Sequence, residues 1–84
     1  MRLIDLAPEE GAGDMPRIIL TGREKVLVER HGGLFSYEPS CIRLRTGMGL
    51  LTVTGEKLII SHFGAEDVLI RGRVDGLSVD GEKA

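Results

Sequence analysis

The sequence predicts an all-β domain, a small sandwich or roll of about seven or eight short, mostly antiparallel strands. Three observations predict it. Ile42 and Leu44 alternate with Arg43 and Arg45, and after the Gly47-Met48-Gly49 turn Leu51 and Val53 alternate with Thr52 and Thr54, the pattern of a half-buried hairpin. Short apolar runs recur along the chain near Val26, Phe35, Ile42, Val53, Ile59, Leu69 and Leu77, with turn residues between most neighbours. No stretch carries the spacing of an amphipathic helix of three turns. The same regular spacing, with glycines at positions 33, 49, 55 and 72, also fits a short β-solenoid, which is the alternative; no exact repeat supports it.

The chain divides into an acidic leader, residues 1–14, a β domain, residues 15–80, and a frayed tail, residues 81–84. The leader sets Arg2 against Asp5, Glu9, Glu10 and Asp14, and its Pro8-Glu-Glu-Gly-Ala-Gly run reads as flexible linker. Leu3, Ile4, Leu6 and Ala7 fit a single helical turn, too short to stand alone in water. Pro16 biases Met15 toward an extended conformation as the domain begins.

Ile18-Ile19-Leu20 is a short strand closed by Thr21-Gly22. Lys25–Glu29 is a second, with Val26 and Val28 on one face and Lys25, Leu27 and Glu29 on the other. His31-Gly32-Gly33 reads as a turn, because glycines supply positive φ without steric cost. Leu34–Tyr37 is the third strand, ended by Pro39, which cannot donate to a ladder. The Cys41–Gly55 hairpin follows, with Ile42, Leu44, Leu51 and Val53 expected on one core face. Gly55-Glu56 reads as a two-residue turn into a separate strand, Lys57–Ser61. After the connection Phe63–Asp67, the chain runs as strand through Val68–Val74. Gly72 reads as a bulge or close-approach site, and Asp75-Gly76 as a turn or bulge. Leu77–Val79 closes the alternation.

Bulk composition narrows the function classes. One domain of 84 residues buries only about 60–65% of the surface its unfolded chain exposes, so its core is marginal. The aromatics are Phe35, Tyr37 and Phe63 alone, so the core rests on Leu, Ile and Val. With no disulfide or obvious metal to staple it, such a domain gains from self-association. A formal net charge of −2 does not suggest nucleic acid or an acidic membrane surface as partner. Cys41 is the single cysteine, which fits a reducing compartment. No apolar run approaches the ~20 residues of a membrane span, and no signal peptide is visible. These features read as a soluble, cytoplasmic protein.

No residue set declares catalysis, a cofactor or a metal. His31, Cys41 and His62 are ligand types, but zinc sites space their ligands in close pairs, and these three are far apart in sequence. Cys41 lies on the same strand face as Arg43, yet no oxyanion motif or nucleophile elbow accompanies it. Gly47-Met48-Gly49 lacks the lysine and the following helix of a phosphate loop, and reads as hairpin geometry. A candidate interaction face remains. Arg43 and Arg45 alternate on one strand and Arg71 and Arg73 on another, so four guanidinium groups would share a face if those strands lay together. Leu50 lies opposite the assigned core and belongs to the same candidate face. Leu27, Ile59 and Leu69 also face away from that core, which calls for a second layer or an assembly surface.

Several segments resemble the YabP/YqfC family of sporulation proteins. They are Met15-Pro-Arg-Ile18, the Val-Leu-Val-Glu-Arg-His-Gly-Gly-Leu stretch at 26–34, Ile42–Thr46 with Leu51–Ile60, and Glu66–Leu77. The short leader before Pro-Arg-Ile is more similar to the YqfC branch. The resemblance spans about residues 15–79 and rests on ordered apolar residues and glycines, not on a catalytic signature. It implies a non-enzymatic protein of endospore-forming bacteria, made in the mother cell and acting at the forespore envelope. It implies a YqfD-like membrane protein as partner and supplies no active-site residues. The small core and the two-sided strands, taken with the resemblance, predict self-assembly into a homo-oligomer. The alternative function is a ligand- or polymer-binding β module that uses the arginine-rich face.

Overall fold

The computed structural model of the chain describes residues 15–80, so the expectations for the leader and the tail lie outside the described residues. The described residues form six antiparallel strands in one sheet. They are β1 (Arg17–Thr21), β2 (Lys25–Glu29), β3 (Leu34–Glu38), β4 (Cys41–Thr46), β5 (Gly49–Phe63) and β6 (Asp67–Asp80). The sheet order is β1-β2-β6-β5-β4-β3. The all-β expectation holds, and every ladder is antiparallel, which excludes the parallel stacking of a β-solenoid.

The strand count differs from the sequence expectation because two pairs of expected strands are continuous. Val53 and Ile59 both lie in β5, and Leu69 and Leu77 both lie in β6. Gly55-Glu56 is therefore not a turn; it lies inside β5. Three register shifts interrupt the β5–β6 ladder: Asp75 is skipped, Lys57 and Leu58 together oppose Gly72, and Ser61 is skipped. Each inserted residue changes the phase of the alternation, which is why one bent strand reads as two in the sequence. Gly55 is required for a different reason. A Cβ on it would collide with the Arg73 carbonyl oxygen.

The bends divide the sheet into two layers that share β5 and β6. The first layer contains β1, β2, Asp67–Arg71 of β6 and Ile59–Phe63 of β5; the second contains β3, β4, Gly49–Thr54 of β5 and Gly76–Asp80 of β6. Inward rows of the first layer run Leu20–Val26–Ile70–Ile60 and Ile18–Val28–Val68–Phe63. Those of the second run Tyr37–Ile42–Val53–Leu77 and Leu34–Leu44–Leu51–Val79. Val26, Val28, Val68 and Ile70 are fully buried together with Ile42, Leu44, Leu51 and Val53, in a single cluster completed by Leu58 and Val74 at the bend. No helix or second sheet is present among the described residues to cover an open sheet face. The two layers therefore cover each other, giving the sandwich or roll the sequence predicts. Full burial of each Val, Leu or Ile contributes about 1.5–3 kcal/mol, so this cluster is the main source of stability.

Backbone bonds from two hairpin turns hold the bends. The β1–β2 turn accepts from β6, with Gly72 N donating to Glu24 O at 3.1 Å and Val74 N to Arg23 O at 2.8 Å. The β3–β4 turn accepts from β5, with Gly55 N donating to Ser40 O at 3.1 Å and Leu58 N to Pro39 O at 2.8 Å. Four donors beside the bulges at the bend are thus satisfied. His31–Gly33 is not a hairpin turn, because β2 and β3 do not pair; it is the crossover that carries the chain from the first layer to the second. Its own bonds reach β4, with Gly32 N donating to Arg45 O at 2.6 Å and Arg45 N to Gly33 O at 2.8 Å.

Candidate interaction surface

The outward rows of the two layers differ in chemistry. In the second layer they run Ser36–Arg43–Thr52–Ser78 and Arg45–Leu50–Asp80. Arg43 and Arg45 are exposed here, and no carboxylate among the described residues lies within ion-pair distance of either. In the first layer, Arg71 sits in the outward row Thr21–Lys25–Arg71–Ile59. Arg73 stands opposite Glu56 at the bend, 3.6 Å from its carboxylate and 3.4 Å from that of Asp75. Asp75 also meets Arg23 at 3.3 Å.

The structure brings Arg43, Arg45 and Leu50 together and places Arg71 and Arg73 elsewhere. Strands β4 and β6 are separated by β5. The Arg71 row belongs to the layer whose inner face packs against that of β4, so its outer face points away from Arg43.

A groove of about 370 Å³ opens beside Arg45 and Leu50, lined also by Phe35, Thr46, Gly49 and Asp80. Each wall has a local cause. Phe35 is the extra residue of a bulge in β3, between the pairs Leu34–Leu44 and Ser36–Arg43. A bulge re-aims its side chain, and the Arg45 guanidinium carbon lies 4.9 Å from the centre of the Phe35 ring. A cation over an aromatic face contributes about 0.5–1 kcal/mol when exposed, enough to orient the arginine. Gly49 has φ +123° at the hairpin, where Thr46 Oγ1 donates to Gly49 O at 2.7 Å and accepts from Met48 N at 3.1 Å. Sequence reading selected Arg45 and Leu50 but missed Phe35, because a bulge in a five-residue strand leaves no trace in the alternation.

The first layer carries a second surface. Its central outward row is Ile19–Leu27–Leu69–His62, with Ile59 in the row beside it. Leu27 and Leu69 are half-buried, and Ile59 is 51% exposed. The row reaches the edge strand β1, whose other side has no paired strand among the described residues. Leu20, also on β1, belongs to an inward row yet is 48% exposed.

The histidines and the cysteine do not converge, and no group of three metal-ligating side chains forms among the described residues. His31 is a structural clip. Its Nδ1 accepts from Gly33 N at 2.9 Å and its Nε2 lies 2.9 Å from Gly64 O. Because Nδ1 is an acceptor, the proton is assigned to Nε2, which donates to that carbonyl. The ring also packs on Phe63, with centroids 5.0 Å apart. His62 Nε2 lies 3.2 Å from Asp67 Oδ1. Cys41 is a half-buried free thiol on the outward side of β4. No helix among the described residues is long and apolar enough to cross a membrane.

Comparison with known proteins follows the same extent of chain. The sequence pattern of the YabP family matches residues 14–84. The chain is also similar to the uncharacterized protein YqfC of Bacillus subtilis (strain 168), with 29% identity over 68 residues, covering 81% of this chain and 73% of that protein.

Proposed function

The chain belongs to the YabP family, and on that premise we propose that it is a non-enzymatic sporulation protein that self-assembles through strand β1 and docks to a membrane-bound partner. The partner, on this reading, is a YqfD-like membrane protein at the forespore envelope, and the chain works from the mother-cell cytoplasm. The sporulation setting and the partner follow the family resemblance; the mode of assembly follows the edge strand.

One observation carries the assembly reading: among the described residues, β1 is an open edge without the usual protection. Edge strands are normally blunted by proline, a bulge or charge. Arg17-Ile-Ile-Leu-Thr21 has neither proline nor bulge, and Arg17 is its only charge. Edge strand β3, by contrast, carries the Phe35 bulge and ends at Pro39.

A second copy fits β1 antiparallel about a two-fold axis. Ile19 then faces its own equivalent, and Ile18 of each copy faces Leu20 of the other. The pairing continues the Ile19–Leu27–Leu69 row across the axis and covers the exposed Leu20. It also satisfies the backbone groups on the open side of β1, which unpaired edges present as a template.

Light scattering across micromolar concentrations tests this. Dimers or larger assemblies are expected, with Ile19→Lys and Leu20→Lys together returning a folded monomer. A strict monomer in the unaltered chain at all concentrations overturns the reading.

A further inference from the structure

The Phe35–Arg45–Leu50 groove lies close to where the chain enters the domain, and the sequence supplies a segment that matches it. Arg17, the first residue of β1, pairs with Glu29 at the end of β2. Three residues later Gly32 is bonded to the backbone of Arg45. A cross-strand step of about 5 Å followed by this short crossover puts Arg17 within roughly 20 Å of the groove wall. The seven steps of chain from Glu10 to Arg17 reach about 24 Å when extended. Residues before Glu10 can therefore lie in the groove without moving any strand.

The chemistry is complementary. Arg45 on the groove and Arg43 on the same outward face have no ion-pair partner among the described residues, and Asp80 is the single acid on the groove. Phe35 and Leu50 supply its apolar surface. The segment Leu3-Ile-Asp-Leu-Ala-Pro-Glu-Glu10 offers apolar residues at 3, 4 and 6 and acids at 5, 9 and 10, with no base among them. We propose that the groove receives this chain's own segment Leu3–Glu10, with Leu6 and its apolar neighbours against Phe35 and Leu50 and the acids toward Arg43 and Arg45. The docking is intramolecular. Tethering holds the segment at high effective concentration, so a modest contact surface suffices. The proposal does not depend on pairing through β1, and the two fail separately.

Disulfide trapping in the full chain tests it. In a Cys41→Ser background, Leu6→Cys is combined with Thr52→Cys, which stands on the outward side beside Leu50. A control combines Leu6→Cys with Lys25→Cys on the outer face of the other layer. At low micromolar concentration the 6–52 disulfide is expected within one chain, roughly tenfold faster than the 6–25 disulfide. Asp5→Lys, Glu9→Lys and Glu10→Lys together remove the advantage, as does about 0.5 M salt, which shortens the screening length to roughly 4 Å. Equal rates for the two pairs overturn the proposal, and so does a 6–52 disulfide formed only between chains. A second measurement needs no cysteine. The same three charge reversals are expected to shift the amide resonances of Phe35, Arg45, Gly49 and Leu50 and to leave those of β2 in place. Unmoved groove resonances overturn the proposal equally.

Discussion

Gly72 of β6 lies directly across from Lys57 of β5, so close that a Cβ at residue 72 would stand 2.5 Å from the Lys57 carbonyl oxygen. Both backbones are left-handed or nearly so at this point, with φ +132° at Gly72 and +53° at Lys57. The two long strands bend together here, and the bend turns one sheet into two facing layers. Gly72→Ala combines a strained φ with a backbone collision and is expected to cost at least about 2 kcal/mol. Urea unfolding measures it; a midpoint unchanged from the parent chain would show that the bend does not need glycine.

Lys57 tolerates its conformation but gains nothing from it. Lys57→Val places a β-branched residue in the left-handed region and is expected to lose about 1–2 kcal/mol. Lys57→Asn stays within about 0.5 kcal/mol of the parent, because asparagine adopts this conformation readily. The same unfolding measurement separates them, and equal losses would contradict the φ argument.

Leu58 and Ile59 are neighbours with opposite fates. Leu58 is fully buried at the junction of the layers, and Ile59 is 51% exposed. Leu58→Ala is expected to cost about 2–5 kcal/mol through lost burial and a cavity. Ile59→Ala should change stability by less than about 0.5 kcal/mol. Thermal unfolding of the pair checks the assigned face; a reversed order would place the register of β5 off by one residue.

His31 braces the crossover through Nδ1, which accepts from Gly33 N, and ties it to the β5–β6 connection through Nε2, which donates to Gly64 O. His31→Ala is expected to cost about 1–2 kcal/mol and to raise hydrogen exchange at Gly33. A loss confined to stability, with Gly33 exchange unchanged, would assign the role to the packing of His31 on Phe63 instead.

Tyr37 sits on the edge strand β3, and its hydroxyl donates to Leu58 O at 2.9 Å. The bond ties that edge to the bend. Tyr37→Phe is expected to cost about 0.5–1.5 kcal/mol with no change in the fold. Matched amide spectra with a lowered unfolding midpoint are the expected result; an unchanged midpoint would leave the bond without energetic weight.

Period-two alternation determined much of this architecture before any coordinates. It assigned Ile42, Leu44, Leu51 and Val53 to a common core, and all four are buried. It marked Gly72 as a bulge or close-approach site and Asp75-Gly76 as a turn or bulge, because glycine inside an apolar run has few other reasons to be there. The resemblance of its ordered apolar residues and glycines to the YabP/YqfC family also pointed to the family, and the YabP pattern over residues 14–84 agrees.

Tertiary structure alone decided that Val53 and Ile59 share one strand. A bulge shifts the phase of the side chains while keeping the chain extended, so local pattern cannot tell it from a turn. It also decided which arginines meet. Arg43 and Arg71 both alternate on strands, but the order of strands in a sheet is set by long-range pairing that no local spacing encodes. Phe35 joins Arg45 for the same reason: the bulge that turns it forms only when β3 pairs with β4.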